Sequence, residues 1–510
     1  MTETTTIGVG PARPAAHWPT SPVVFARLAL VICCLGLFTA TVPDPDLWGH
    51  VKFGGDTVAA HFAVPRVDPY SFTSDREWVN HEWLSEVMMY GAWRAGGALG
   101  LVLLKAMLLA AICAFVFWSL WRRLGDRAAV DLLAIAAVVA ILPRAGTLRP
   151  QLFSLVLFCL LLALIIEVDR GRRGALVAIP AVFLAWANLH GGWLVGALVL
   201  LVWTAFRVVR PGITSRSRVE LLVAASASAA ATFVNPYGIG LWRFLGATVG
   251  LGRADISEWR PLLQTGPVTI AVWTGLCLLA LVAVGRRRRN DLATLAVVAL
   301  LGFASFRVNR LDMFFGPAVI LLLGPDLTRF APVSNLTHRA PRPAGKRLLL
   351  VAAAVFVLLP LAVTLGAKAA CVPVRAAWLP ERDAGRFVLE NHLKGRMITW
   401  FDFGEYAIWH FSPSLRISFD GRRETVYSRQ ALLENYSFFW GLPGHLDFAD
   451  RVGADYAWLR NDLPIVQPLE RRGWVRIFRG PISSIFARPG DPRRYVQPAR
   501  FTGVGCFPGP

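Results

Sequence analysis

The segment PDPDLWGHVKFGGD, residues 43–56, sets Asp44, Asp46 and His50 directly after the first apolar run of the chain. If residues 46–53 open a helix along a membrane surface, Asp46 and His50 lie four apart on one face, and Trp48 and Phe53 rest in the headgroup zone. A carboxylate partly withdrawn from water has a raised pKa and becomes a better general base for a hydroxyl. Asp46 or Asp44 is therefore the candidate base, with His50 beside it. The competing reading is a helix cap, in which either aspartate satisfies free amides at the helix start. One cap needs only one carboxylate, and here two meet a histidine.

The same stretch continues to NHEWLSE, residues 80–86, which offers His81, Glu82 and Glu86, the two glutamates four apart. Together with Asp44, Asp46 and His50 these residues supply the carboxylate and imidazole ligands that a divalent cation such as Mg, Mn or Zn takes. The spacing matches no metal motif, and a cap or a solvated helix face is the alternative for Glu86. His81 and Glu82 are expected to orient the acceptor or the metal.

Arg149, Arg307 and Arg310 stand at apolar boundaries on the side where cations are otherwise scarce. Arginine grips a phosphate through paired donors, so the three as a set are expected to hold an anionic headgroup. For any one of them the alternative is snorkelling to the interface. ANLHGGW, residues 187–193, makes a two-glycine turn between apolar runs, and it points Asn188 and His190 toward an outward-facing cavity or fixes the turn itself.

These residues need a bilayer to position them. Of the 510 residues 55% are hydrophobic and 17% charged, and mean hydropathy is +0.49, which removes the chain from the soluble class. The net charge of +20 sits largely in short loops between apolar runs, a membrane-topology pattern and no sign of nucleic-acid binding. A span needs about 20 apolar residues, and about eleven are expected, near 23–42, 99–120, 128–143, 151–167, 174–188, 191–209, 219–235, 267–285, 291–306, 311–327 and 347–367. Arginine-rich alternate loops place residues 1–22 in the cytoplasm. The same parity puts the acidic 43–98 loop and residues 368–510 outside. The transmembrane domain is then 23–367.

Beyond it hydropathy falls. Glu381–His392 reads as an amphipathic helix, and residues 396–403, 414–419, 456–459, 474–479 and 482–488 read as short strands, giving a small α/β domain. Cys371 and Cys506, one near each end, can close a disulfide if that side is oxidising. Altogether the chain reads as an α-helical polytopic membrane protein with a small C-terminal α/β extracytoplasmic domain.

DPDLWGH at 44–50, with HEWLSE at 81–86 in the same loop, resembles the GT-C superfamily of polytopic membrane glycosyltransferases, at the position of their catalytic acid and juxtamembrane helix. The resemblance implies a lipid-phosphate-linked sugar donor and a carboxylate that deprotonates the acceptor, so Asp46 or Asp44 becomes the base. Asp-Pro-Asp departs from the adjacent acidic pair of many members, which leaves open both which carboxylate acts and whether a metal such as Mg or Mn is needed. NLHGG, NPYG, FDFGEYAIW (401–409) and FDGRRE (419–424) resemble bacterial membrane proteins of the same layout. The expected function is transfer of a sugar from a polyprenyl-phosphate donor to a glycan, lipid or protein acceptor on the outer face of a bacterial inner membrane. The alternatives are a non-catalytic transporter or flippase of an anionic lipid, and an envelope assembly or sensor protein that uses Asp420, Arg422 and Arg423.

Overall fold

The structure is a computed structural model, and it describes residues 34, 36–248, 253, 256–287, 291–328, 366, 371–374, 378–501 and 505–510. The N-terminal tail, residues 23–33 and 35 of the expected span 23–42, and all of the expected span 347–367 but Gly366 lie outside the described residues.

After the first apolar run comes α1 (Leu47–Ala59), the helix expected from residue 46 onward, but Trp48 and Phe53, expected in the headgroup zone, are buried in protein, Trp48 against Tyr406 and Phe507 and Phe53 against Tyr70 and Trp78. Next is α2 (Trp83–Trp121), broken at Gly96 and Gly97. Gly97 sits at φ +56°, a left-handed conformation that only glycine adopts cheaply. The break divides an arm, residues 83–95, which carries Glu86 and Arg94, from the apolar stretch expected to cross the bilayer. There follow α3 (Arg127–Ile141), α4 (Gln151–Asp169), α5 (Gly174–Leu189), α6 (Trp193–Val208), α7 (Ser215–Ala231), α8 (Ile239–Thr248), α9 (Pro267–Gly285), α10 (Leu292–Arg307) and α11 (Asp312–Ala318). The last of these runs on through a wider helical turn, Val319–Leu323, to Leu327.

Each expected span within the described residues coincides with a helix, but three of them, α2, α4 and α9, are long and apolar enough to cross a membrane by length and composition. At 16 residues, α5, α6 and α10 reach about 24 Å at 1.5 Å per residue, less than the roughly 30 Å hydrocarbon core. The count of eleven is therefore not established. In the most apolar window of α4 67% of residues are buried by protein, against 11% in α9, which makes α4 central and α9 peripheral. The helix α8 was not expected, because ten residues carry too short a periodic signal to separate them from a turn.

The C-terminal region folds as expected around a five-stranded sheet. Its strands are β1 (Gly395–Thr399), β2 (Leu415–Ile417), β3 (Tyr456–Arg460), β4 (Val475–Arg479) and β5 (Ser483–Ala487), in the order β2-β1-β3-β5-β4. β1 runs parallel to both β2 and β3, while β5 is antiparallel to β3 and β4. The expected amphipathic helix is α12 (Arg382–Glu390). The first strand ends at Thr399, sooner than expected, because FDFGE turns into α13 (Gly404–Phe411).

The 43–98 loop joins this sheet. Phe72 donates its amide to the Ile417 carbonyl at 3.0 Å, and Ile417 donates to the Tyr70 carbonyl at 3.0 Å, so Ser71 adds a rung beside β2. Cys371 and Cys506 form the expected disulfide. It ties down the tail whose Pro508 carbonyl accepts from Trp48 Nε1 on α1 at 2.8 Å.

Candidate active site

Asp44 and Asp46 bracket the start of α1, but neither caps it. Asp46 occupies the cap position without a side-chain cap bond, and Asp44 Oδ1 accepts the Asp46 amide at 3.1 Å. The turn before α4 brings Arg149 against them. Arg149 places Nε 2.6 Å and Nη2 2.5 Å from Asp44 Oδ2, with Asp46 at 3.6 Å and Nη1 donating to Glu258 at 3.2 Å. Three carboxylates around one guanidinium raise its pKa despite burial. Arg149 is thus the direct ion-pair partner of Asp44, whereas burial and then the negative charge of Asp44 push Asp46 up to about 7 against the pull of Arg149 and His50.

One turn along α1, His50 faces the α2 arm. Its Nδ1 is 3.2 Å from Glu86 Oε1 and 4.0 Å from Glu82 Oε2. Burial would lower its pKa, but the Glu86 hydrogen bond and the charges of Glu82, Glu86 and Asp46 outweigh it and raise it to about 9. Glu82 is also 3.7 Å from His81 Nε2 and 3.4 Å from His190 Nε2. Burial works against its charge, yet His81, His190, His50 and Arg310 together hold it below the usual carboxylate range.

His190 is neutral: burial first, then Arg310 and the other histidines, depress it to about 3. Its Nδ1 accepts the Gly192 amide at 2.9 Å and lies 2.7 Å from Ser154 Oγ. The proton is thereby fixed on Nε2, facing Glu82.

Each of His50, Glu82 and Glu86 can offer one ligand atom, all within 4.8 Å of one another. Two carboxylates and an imidazole fit a divalent cation of the Mn or Zn type. Glu86 is buried and accepts from Asn80 Nδ2 at 2.6 Å, which rules out the solvated-face alternative for it.

The structure does not gather all three outer arginines. Arg149 and Arg310 meet at Glu258, with Arg310 Nη1 3.8 Å from Oε2, and Arg144 joins at 3.5 Å. Arg307 is exposed at the end of α10 and makes no ion pair among the described residues. The helix geometry explains this, since Arg307 closes α10 whereas Arg310 lies in the next turn, Asn309–Leu311. Asn188 is also reassigned. Its Oδ1 accepts from Trp83 Nε1 at 3.1 Å and its Nδ2 donates to the Leu184 and Val234 carbonyls at 2.9 and 2.8 Å, so the amide is spent on clamping helices.

Glu258, Asp402 and Glu405 complete the cluster and were not anticipated as site residues. EWRP and FDFGE were conspicuous as motifs, but nothing in the sequence indicates that the C-terminal domain folds back onto α1. Burial, and the charge of Asp44, push Asp402 up to about 6. Glu405 is buried beneath Asp46 and is raised well above its ordinary value by desolvation and by Asp46 and Asp420.

FDGRRE is an internal tie and offers no partner surface. Asp420, Arg422 and Arg423 are buried, and Arg422 bridges Asp420 to Asp68 of the 43–98 loop at 2.7 Å on each side.

The overall fold is one that solved structures share. The Archaeoglobus fulgidus oligosaccharyltransferase AglB, in complex with an inhibitory peptide and a dolichol-phosphate, aligns with a TM-score of 0.59 over 86% of this chain and 69% of its own, at 12% identity. Cupriavidus metallidurans ArnT bound to undecaprenyl phosphate aligns with a TM-score of 0.52 over 91% of this chain and 97% of its own, at 14% identity. The chain shares its fold with these two structures. A second A. fulgidus oligosaccharyltransferase structure, in complex with Zn and sulfate, aligns over 86% of this chain and 68% of its own, with a TM-score of 0.51 and 15% identity. No family profile matches the sequence, and no curated protein matches it. At these identities the likeness is one of fold, and the chemistry has to be argued from this chain's own residues.

Proposed function

We propose that the chain is a membrane glycosyltransferase that moves a sugar from a polyprenyl-phosphate-linked donor to a hydroxyl-bearing acceptor at the outer face of a bacterial inner membrane. The observation that carries this reading is the unequal treatment of two neighbouring carboxylates: Arg149 binds Asp44 tightly and leaves Asp46 with a proton affinity near neutrality. A base poised there takes a hydroxyl proton efficiently at cellular pH.

A phosphate leaves as a stable anion, so the protein's task is positioning and charge stabilisation. Arg310 suits the donor phosphate best. Among the described residues its ion pair is a 3.8 Å contact to Glu258, with the Trp259 ring 5.6 Å away, and burial, with Arg149 and Arg144, lowers its pKa against the pull of Glu258 and Glu82, the mark of a cation short of counter-charge. His190 Nε2–H and His81 orient Glu82 beside it. If a divalent cation is bound, His50, Glu82 and Glu86 hold it, and it supplies charge neutralisation for a phosphate. The donor recognised by chemistry is thus a lipid phosphate, in line with the lipid phosphates bound by the AglB and ArnT neighbours.

The test is release of polyprenyl phosphate from a panel of undecaprenyl-phosphate-linked sugars, by purified protein in lipid nanodiscs with a membrane-extract acceptor. The wild type should release it, and Asp46→Asn should be slower by roughly 10²–10⁴, the usual worth of a general base. Equal release by the variant removes Asp46 from the mechanism. Lipid translocation without any release favours the flippase alternative.

A further inference from the structure

Glu405 has no counterpart in the mechanism above, yet it is among the most enclosed carboxyls of the molecule. It is 4% exposed, and its Oε2 has no hydrogen-bond partner among the described residues. It enters from α13 of the C-terminal domain and lies against α1, where a Cβ added to Gly49 would strike its carboxyl group. Its other oxygen, Oε1, and Asp46 Oδ1 both border Gly421. A Cβ added to Gly421 would stand within 2.8 Å of both Asp46 Oδ1 and Glu405 Oε1, so the bare glycine backbone is what lets the two carboxyls approach.

An ionised carboxylate in such a place costs far more than a protonated one unless a cation meets it. The charged groups that act on Glu405 are Asp46, Asp420 and Glu86, all acids, and Arg422. Arg422 is already committed to Asp68 and Asp420, through contacts of 2.7–3.1 Å. No free cation remains for Glu405 among these groups. Two neighbouring carboxyls that cannot both ionise share a proton.

We propose that Glu405 is a neutral carboxylic acid that turns its proton toward Asp46 across Gly421, so that the C-terminal domain carries the positioning residue for the candidate base. The positioning role rests on the reading of Asp46 as base; the proton-sharing pair does not. In this arrangement the docked domain holds the Asp46 carboxylate in one orientation and leaves it the member of the pair that exchanges protons with an acceptor. Desolvation, which raises Glu405 well above an ordinary carboxylic acid, supports the same assignment.

Infrared difference spectroscopy of the full-length protein in detergent, without substrate, reads this directly through the carbonyl stretch of neutral carboxylic acids. At neutral pH the wild type should show such a band. It should move on [¹³C]glutamate labelling, vanish in Glu405→Gln, and shift in frequency in Asp46→Asn as its hydrogen-bond partner changes. Absence of a glutamate-labelled band at neutral pH overturns the proposal, and so does a band that Asp46→Asn leaves unshifted. The labelling and Asp46→Asn arms decide the matter even if Glu405→Gln does not fold. Because no sugar donor is present, failure of glycosyl transfer and failure of the carboxyl pair are separate outcomes.

Discussion

Two nitrogens of Arg149 close on one oxygen of Asp44, Nη2 at 2.5 Å and Nε at 2.6 Å, while the same guanidinium stands 3.6 Å from Asp46. The pair fixes Asp44 as a counter-ion and leaves Asp46 as the carboxylate able to exchange a proton. Asp44→Asn should therefore lower transfer by less than Asp46→Asn does. With its strongest partner gone, Arg149 turns toward Asp46 and Glu258, and the residual rate reports a mis-set base. Parallel donor-turnover assays on the two variants check this ranking. A variant at Asp44 that is the more damaged of the two would exchange their roles.

The pH dependence follows from the same asymmetry. Asp46, raised to about 7, is protonated and unable to act as a base below that pH, so transfer should rise as pH increases through about 7. With no cation bound between His50, Glu82 and Glu86, His50 is held near 9, stays cationic over the same range and adds no limb there. In Asp44→Asn the raising charge disappears while Arg149 still lowers, so the acid limb should move to lower pH. Rate–pH profiles of wild type and Asp44→Asn make the comparison, and a limb that does not move excludes Asp46 as its source.

Arg310 and Arg307 are three residues apart but differ in surroundings: the first is enclosed beside Glu258 and the second is exposed. Arg310→Ala should weaken binding of undecaprenyl phosphate about tenfold or more, since a charge-assisted hydrogen bond is worth roughly 1.5–3 kcal/mol. Arg307→Ala should leave it within about twofold. Equilibrium binding of the lipid phosphate to the purified variants is the measurement, and equal losses would mean that the anion site lies elsewhere.

Much of the fold was legible because it depends on local pattern. Apolar runs marked the helices at the expected spans, though not α8, alternation and turn residues marked all five strands, and Asp46 with His50 announced α1. The spacing of Glu82 and Glu86 placed both on one helix, and the structure turns them toward His50. What stayed hidden depends on contacts across hundreds of residues. Nothing near Asp46 in the sequence indicates Glu405 or Asp402, and nothing near Arg149 indicates Glu258. Arg307 and Arg310 look equivalent in FRVNR, and they separate only because a helix ends between them. Asn188 looked available for a ligand, but its amide had three partners that sequence spacing could not reveal.

The docking of the C-terminal domain has a specific latch, and breaking it should show how far α1 depends on that domain. Arg422 donates to Asp68 at 2.7 and 3.1 Å and to Asp420 at 2.7 and 2.9 Å, under the rings of Phe53, Tyr70 and Trp78 at 4.8–5.3 Å. Removing one partner of a buried ion cluster strands the others, at a cost of roughly 3–5 kcal/mol. Arg422→Ala should accordingly lower the melting temperature. Arg422→Lys should rescue little, because one ammonium cannot replace a planar fork that serves two carboxylates and stacks on aromatics. Since Phe53 belongs to α1, the loss should also spread to Asp46, and any transfer that survives should be slower. Thermal unfolding of the three proteins in one detergent tests the latch, and full rescue by lysine would reduce it to simple charge pairing.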